Sequence, residues 1–368
     1  MGSETEVLII GGGPAGLAAA IAARKKGFEV TVVDGAKPPI DKACGEGLMP
    51  NTISALRELG IEIDARDGRV FRGLRFLDAN SEAEANFPVT PGIGIRRTAL
   101  HQKMLERAQQ CGVSLLWNTP VSGLSCGGAI VGGRRMKAKW VIGADGIHSR
   151  VRRWSELESH TEQEARFALR RHYRVRPWTD CVEIYWGQRM QAYVTPLGNE
   201  ETCVVVVATE PRVGFAEALR EFPGLAARLA DAELSSAERG GFTVTRRLSR
   251  VHRGNVALTG DASGSVDAIT GEGLCLSFRQ AIELADALEA ENLESYQSAH
   301  RRLLRWPNFM SRLLLLLGRN VQLRRRTLRV LAKDPGLFAS LLSVHAGDGS
   351  ALQLSATGLH FGYQFLTA

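Results

Sequence analysis

The sequence predicts an α/β fold in which an N-terminal nucleotide-binding unit is interrupted by an antiparallel sheet domain, completed by a later strand and helix, and followed by a helical C-terminal region. Three observations carry this. A glycine-rich turn joins a buried strand to an Ala-rich helix at the N-terminus, a period-two pattern begins near Ala165, and a buried strand and long helix return after Val256.

In chain order, Glu6 to Ile10 reads as a short buried strand, Pro14 to Lys26 as a helix, and Glu29 to Asp34 as a second strand ending on an acid. Thr98 to Gln110 has helical spacing through Leu100, Met104 and Ala108. A strand over Val113 to Trp117, a hairpin around Gly127 and Gly128, and a buried strand from Trp140 to Gly143 follow. From Ala165, Phe167, Leu169, Tyr173 and Val175 alternate with Arg166, Arg170, His172 and Arg174, which predicts a half-exposed antiparallel sheet. Val182 to Trp186, Met190 to Thr195 and Thr202 to Ala208 continue it across short turns. Val256 to Thr259 is the returning strand, Gly273 to Glu289 the long helix, and helical spacing extends to about Leu342.

Composition narrows the function classes. With 368 residues and 44% hydrophobic content the chain can bury a sizeable core, and no apolar run approaches the roughly 18 residues of a membrane span. Met1 to Ile10 lacks the order of a signal peptide, so a cytoplasmic protein, peripheral to a membrane at most, is expected. The six cysteines show no CxxC or Cys/His ligand spacing, so neither a disulfide scaffold nor a metal site is indicated. A net charge of +7 is too modest to argue for nucleic-acid binding.

Three motifs carry chemistry. Gly11-Gly12-Gly13-Pro14-Ala15-Gly16 is a GxGxxG directly after a strand and opening a helix, where backbone amides and the helix dipole receive a pyrophosphate. Alone it is a tight turn; with Asp34 placed to accept ribose hydroxyls at the end of the next strand, it fits an adenine dinucleotide. Gly143-Ala144-Asp145-Gly146 follows another buried strand and leads into a basic helix with Ser149 as its expected N-cap. Gly260-Asp261-Ala262-Ser263-Gly264 follows a third, and Ala268-Ile269-Thr270-Gly271-Glu272-Gly273 opens the long helix. There an acid can bind a ribityl hydroxyl, and helix N-terminal amides face a group that gains negative charge.

These motifs, in this order, resemble the flavoprotein superfamily that shares the p-hydroxybenzoate hydroxylase fold: single-component flavin monooxygenases, geranylgeranyl reductases and flavin halogenases. The resemblance spans about residues 5–290. It implies a Rossmann-like FAD-binding domain of the GR2 type over 1–160 and 240–290, an inserted antiparallel-sheet substrate domain over 161–239, a helical region over 291–345 and a tail over 346–368. It further implies FAD as cofactor, with Gly11, Gly13, Pro14, Ala15, Gly16 and Asp34 at the ADP half. Asp145 would contact FAD and influence NAD(P)H use, Gly260 and Asp261 would hold the ribityl chain, and Gly271 and Gly273 would form the helix entry at the flavin. Arg97, in Arg97-Thr98-Ala99-Leu100, matches the family's Arg-x-x-Leu helix entry near the pyrophosphate.

A finer resemblance lies at Asp41-Lys42-Ala43-Cys44-Gly45, similar to the Lys-x-Cys-Gly segment of geranylgeranyl reductases, and places Cys44 and Gly45 beside the flavin. The alternative for Cys44 is an inert small hydrophobe. The reductases' Tyr-x-Trp-x-Phe-Pro segment stands here as Tyr193-Val194-Thr195-Pro196, and none of the six Trp residues has the halogenases' Trp-x-Trp-x-Ile-Pro context. The resemblance therefore implies first an NAD(P)H-using flavin monooxygenase acting on an aromatic or lipophilic small molecule. The alternative is a geranylgeranyl reductase-like enzyme reducing alkenes of a prenyl or other lipid, and the third reading a flavin-binding protein without turnover. No catalytic side chain is assigned, since the flavin carries the chemistry.

Trp186 and Tyr193 are expected to line a substrate pocket roofed by the sheet. Between Arg301 and Lys333 stand ten Lys or Arg and no Asp or Glu, interleaved with Leu303, Trp306, Met310, Leu314, Leu317 and Val321 at helical spacing. Such a helix suits a membrane surface or an acidic carrier protein as partner, against the plainer reading of a core-facing helix with a solvated basic face. Residues 346–368 give no signal.

Overall fold

The computed structural model describes residues 4–158, 161–162, 165–211, 213–345 and 351–367. Its first sheet is built on the Val/Ile strands. Glu4–Ile10 lies parallel between Val30–Val33 and Arg134–Gly143, with Ser114–Leu116 beyond the former and Val256–Leu258 beyond the latter. Strands buried on both faces read as apolar runs, as the end of Glu4–Ile10 does without a break and Val30–Val33 does but for Thr31. The expected hairpin forms from Val121–Ser125 and Gly128–Val131 and pairs on into Arg134–Gly143.

Pro14 opens helix Pro14–Lys25, where its missing N–H costs nothing. That helix packs against Gly273–Glu289, while Arg97–Gln110 packs on its other side. Together they bury the largest apolar core, which includes Leu17, Ile21, Met104, Phe278 and Leu284.

The second sheet runs in the order Glu233–Leu234, Arg166–Arg174, Thr202–Ala208, Met190–Pro196, Cys181–Trp186, Gly73–Asp78, Ser81–Asn86, with Arg239–Thr243 also paired to Arg166–Arg174. It corrects three expectations. It is wider than 161–239, because Gly73–Asp78 and Ser81–Asn86 join it, the former in parallel with Cys181–Trp186. The polar composition of Ser81–Asn86 concealed that strand. Nor does the polar face of Arg166–Arg174 lie in solvent throughout. Tyr173 and Leu169 pack with Phe215, Phe222 and Leu225 from helices Phe215–Leu219 and Pro223–Leu229, while Arg170 and His172 on the other face are 1% exposed. Their acidic partners arrive from a distant loop, which alternation along one strand does not reveal.

The third correction is at the C-terminus. Helices Leu293–Arg319, Val321–Lys333 and Pro335–His345 cover the second sheet, Phe338 meeting Phe76 at 5.1 Å between ring centroids and Arg324 pairing with buried Asp78. The region expected to be a tail contains the helix Ala351–Thr367, and Arg326 lies over the Phe365 ring. Among the described residues no helix is long and apolar enough to cross a membrane.

Candidate active site

One cavity of about 700 Å³ joins the glycine-rich motifs of the first sheet to an apolar chamber between the second sheet and the C-terminal helices. At the first end it is lined by Gly13, Pro14 and Ala15, by Lys42, Cys44 and Gly45, by Arg97, and by Asp261, Gly271 and Gly273. The topology explains the convergence. Three parallel strands end at Ile10, Gly143 and Leu258, and the helices that follow Gly13 and Glu272 start at the same edge.

The glycines divide by what a side chain would meet. A Cβ at Gly11, where φ is +113°, would stand 2.4 Å from the Ala144 carbonyl oxygen, and one at Gly16 would stand 1.8 Å from that of Gly11. Gly260, at φ +60°, would meet the Ala15 methyl at 2.6 Å. These three glycines allow the strands and helices to close together. Gly13, Gly45 and Gly273, by contrast, have no atom within 4 Å of a built Cβ, so each leaves backbone open to the cleft.

The two strand-end acids are engaged by backbone. Asp34 accepts from the Gly12 amide at 2.7 Å and the Ala36 amide at 2.8 Å, which holds the glycine loop. Half-buried, it retains carboxylate lone pairs for a ribose. Asp145 accepts from the amides of Arg150 and Val151 and from the Ser149 hydroxyl, while Ser149 caps the helix by accepting from Arg152 N at 2.9 Å. The Asp145 carboxylate orders helix Arg150–Trp154, and its neighbours Ala144, Gly146 and Ile147 line the cleft.

Asp261 is exposed and lines the cleft. Desolvation raises its pKa above the usual carboxylate value, and the charges of Lys42 and Arg97 oppose that rise. Arg97 has a buried Nε without a hydrogen-bond partner. A cation with an orphaned donor, an acid and open backbone amides around one cleft fit the phosphates and hydroxyls of a dinucleotide.

Several residues here carried no sequence signal. His101, one helical turn beyond Arg97, is fully buried, bonds the Gly12 carbonyl at 2.9 Å through Nε2, and has its pKa lowered by desolvation. Glu46 is 2% exposed and sits at φ +60°, a left-handed conformation that costs a non-glycine residue about 1–2 kcal/mol. It is held by four contacts. Arg170 donates to Oε1 at 3.0 Å, His172 bonds Oε2 at 2.6 Å, the Arg97 amide donates to Oε1 at 2.9 Å, and the Glu46 carbonyl accepts from Ile95. Arg170 also grips Asp41 at 2.9 and 3.0 Å. The charged face of the second sheet thus fixes loop 41–47, which carries Cys44 and Gly45. Glu272 is likewise buried, with one carboxylate oxygen unpartnered. Desolvation raises its pKa against the charge of His345.

Beyond this loop the cavity is apolar. Trp186 and Tyr193 line it, with Phe76, Val182 and Ile184 from the sheet, and Leu314, Leu317, Leu331, Phe338 and Leu342 from the helices. Tyr193 donates to Gln191 Oε1 at 3.0 Å, and burial raises its pKa against the Arg166 charge. Arg324 is the charged lining residue here, and Asp78 neutralises it.

A parallel nucleotide-binding sheet, three strand-end loops at one cleft, and a second sheet roofing it define a flavoprotein with an FAD-binding domain of the GR2 type. Residues 4–304 match the family model described as FAD binding domain, and the chain belongs to that family. It is an FAD-dependent oxidoreductase. It is 30% identical over 341 residues to the menaquinone reductase of Mycolicibacterium smegmatis, covering 84% of this chain and 81% of that one. It is 27% identical over 335 residues to YetM of Bacillus subtilis, by name an FAD-dependent monooxygenase, covering 80% and 88%. The p-nitrophenol 4-monooxygenase of Pseudomonas putida superposes with a TM-score of 0.81 at 19% identity, over 95% of this chain and 99% of that one, a likeness of fold.

Proposed function

We propose that this oxidoreductase reduces a carbon–carbon double bond in a lipid carrying a long isoprenoid or other unsaturated chain, with NAD(P)H as electron donor. The observation that carries the reading is the apolar chamber continuous with the flavin cleft. Its lining buries a hydrocarbon chain and offers few polar groups to orient a small aromatic acid or phenol. The similarity to a menaquinone reductase supports it, since menaquinone bears an isoprenoid chain. FAD, when bound and reduced by NAD(P)H, would supply the hydride chemistry, with the balancing proton drawn from bulk solvent outside the apolar chamber. The chain's own groups do the rest. The amides at Gly13 and Gly273 and the side chains of Arg97 and Asp261 would hold the cofactor, loop 41–47 would border it, and the chamber would align the hydrocarbon and exclude water.

A second reading, oxygen transfer, leads on sequence alone. The intact Gly143 to Arg152 segment, Thr195 in place of the reductases' aromatic residue, and the similarity to YetM favour it. The depth and apolarity of the chamber move the weight to reduction. Incubation of the NAD(P)H-reduced enzyme with polyprenyl lipids under strict anaerobiosis separates the two. Saturated product supports reduction. Product formed only in air and carrying labelled oxygen establishes the second reading instead. A flavin that neither NAD(P)H nor a reductase partner reduces leaves only a binding protein.

A further inference from the structure

Helix Leu293–Arg319 presents a stripe to solvent at three- and four-residue spacing: Arg302, Arg305, Phe309, Arg312, Leu316 and Arg319, all exposed. Phe309 is 55% and Leu316 50% exposed, unusual values for large apolar side chains on an otherwise basic surface. Among the described residues, Glu283 lies 3.5 Å from Arg302 at one end of the stripe.

The same helix forms part of the chamber. Phe309 and Leu313 line the cavity while remaining exposed, as does Gly358 on helix Ala351–Thr367, whose neighbour Leu359 is 77% exposed. These residues mark where the chamber reaches the surface. The apolar wall inside is therefore continuous with an apolar and cationic face outside.

We infer that this face docks on an anionic lipid bilayer and that the chamber draws its substrate directly from the membrane; the inference rests on the reading that the substrate has a long apolar chain. The arginines suit anionic headgroups, and Phe309, Leu313 and Leu316 suit the acyl boundary beneath them. A hydrocarbon chain then passes from bilayer to chamber without crossing water, the step that otherwise limits transfer of a lipid. An acidic carrier protein would match the arginines but leave the exposed apolar residues at the mouth unexplained.

The test is co-sedimentation of the FAD-loaded full chain with vesicles of phosphatidylcholine alone, or containing roughly one third phosphatidylglycerol. The wild type is expected to sediment with the anionic vesicles and to be released by salt. A combined Arg302→Gln, Arg305→Gln, Arg312→Gln variant is expected to partition roughly a hundredfold more weakly. A separate Leu316→Ser variant is expected to bind several-fold more weakly. Both are expected to keep FAD and reduce it at the wild-type rate, which shows that they are folded. Wild-type protein left in the supernatant, variants that sediment like the wild type, or capture by an acidic carrier protein without vesicle binding would each overturn the inference. Turnover of detergent-dispersed lipid without vesicle binding removes the docking and keeps the proposed reaction. Vesicle binding without lipid turnover does the reverse.

Discussion

At the scale of single residues, Gly13 and Gly16 make different predictions although they belong to one motif. A side chain at Gly13 enters open cleft, so Gly13→Val is expected to fold with a urea midpoint near that of the wild-type apoprotein and to lose FAD by blocking approach of the pyrophosphate. Gly16→Ala places a methyl against the Gly11 carbonyl and is expected to cost about 3 kcal/mol or more of stability. Absorbance of retained flavin and urea unfolding read both; full FAD occupancy in Gly13→Val would refute the placement of the cofactor. Glu46 yields a third prediction. Its carboxylate and Arg170 are each 1% exposed in side chain, so Glu46→Ala leaves the buried guanidinium with Asp41 as its remaining carboxylate and is expected to destabilise the fold by about 1–3 kcal/mol. Asp41, which also pairs with Arg170, softens that loss, so a cost below about 1 kcal/mol in urea unfolding would show that Asp41 alone balances the charge.

At the scale of elements, helix Leu293–Arg319 is tied to strand Val256–Leu258 and to the Gly260–Ser263 turn after it by one buried contact each. Tyr296 donates to the Leu258 carbonyl at 2.8 Å, and His300 Nε2 bonds Ser263 Oγ at 2.9 Å. Burial lowers the His300 pKa from 6.5 to about 4, helped by the charge of Arg301. Above pH 6.5 the imidazole is neutral in both folded and unfolded chains, and its stability contribution is intact. As pH falls from 6.5 towards 4, the unfolded chain takes up a proton that the folded chain refuses, so stability declines by roughly 3 kcal/mol and the loss is complete below pH 4. Urea unfolding across that window is expected to show the decline in the wild type and a flatter profile in His300→Gln; equal slopes would reject the assignment. The main parallel strands and their helices were readable because each declares itself within a dozen residues. Strand Ser81–Asn86 and helix Ala351–Thr367 were not, because pairing and packing with distant partners place them, against weak local patterns.

At the scale of the whole molecule, the cofactor cleft and the chamber differ in how far the sequence reveals them. The cleft is assembled from contiguous motifs at 11–16, 143–147 and 260–273, whose glycines and acids have local geometric duties. Even there, His101, Glu46, Arg170 and His172 escaped notice, since each acts across 89 to 126 residues of chain. The chamber has no contiguous signature: its wall comes from 74–76, 182–193, 306–342 and 358–361, and of these the sequence points to a pocket only at Trp186 and Tyr193. Leu314 offers a test of the assembled chamber because it lines the cavity from a C-terminal helix, whereas the cofactor loops lie on the first sheet. Leu314→Trp is expected to fill part of the chamber while leaving FAD content and flavin reduction by NAD(P)H at wild-type levels. If the hydrocarbon chain lies there, kcat/KM for a long polyprenyl lipid should fall about tenfold or more, whereas a short allylic analogue that does not reach Leu314 should react nearly as before. Steady-state kinetics on the two substrates decide the matter. An equal loss on both would place the effect on the cofactor or the fold, and no loss on either would mean that the substrate does not enter the chamber.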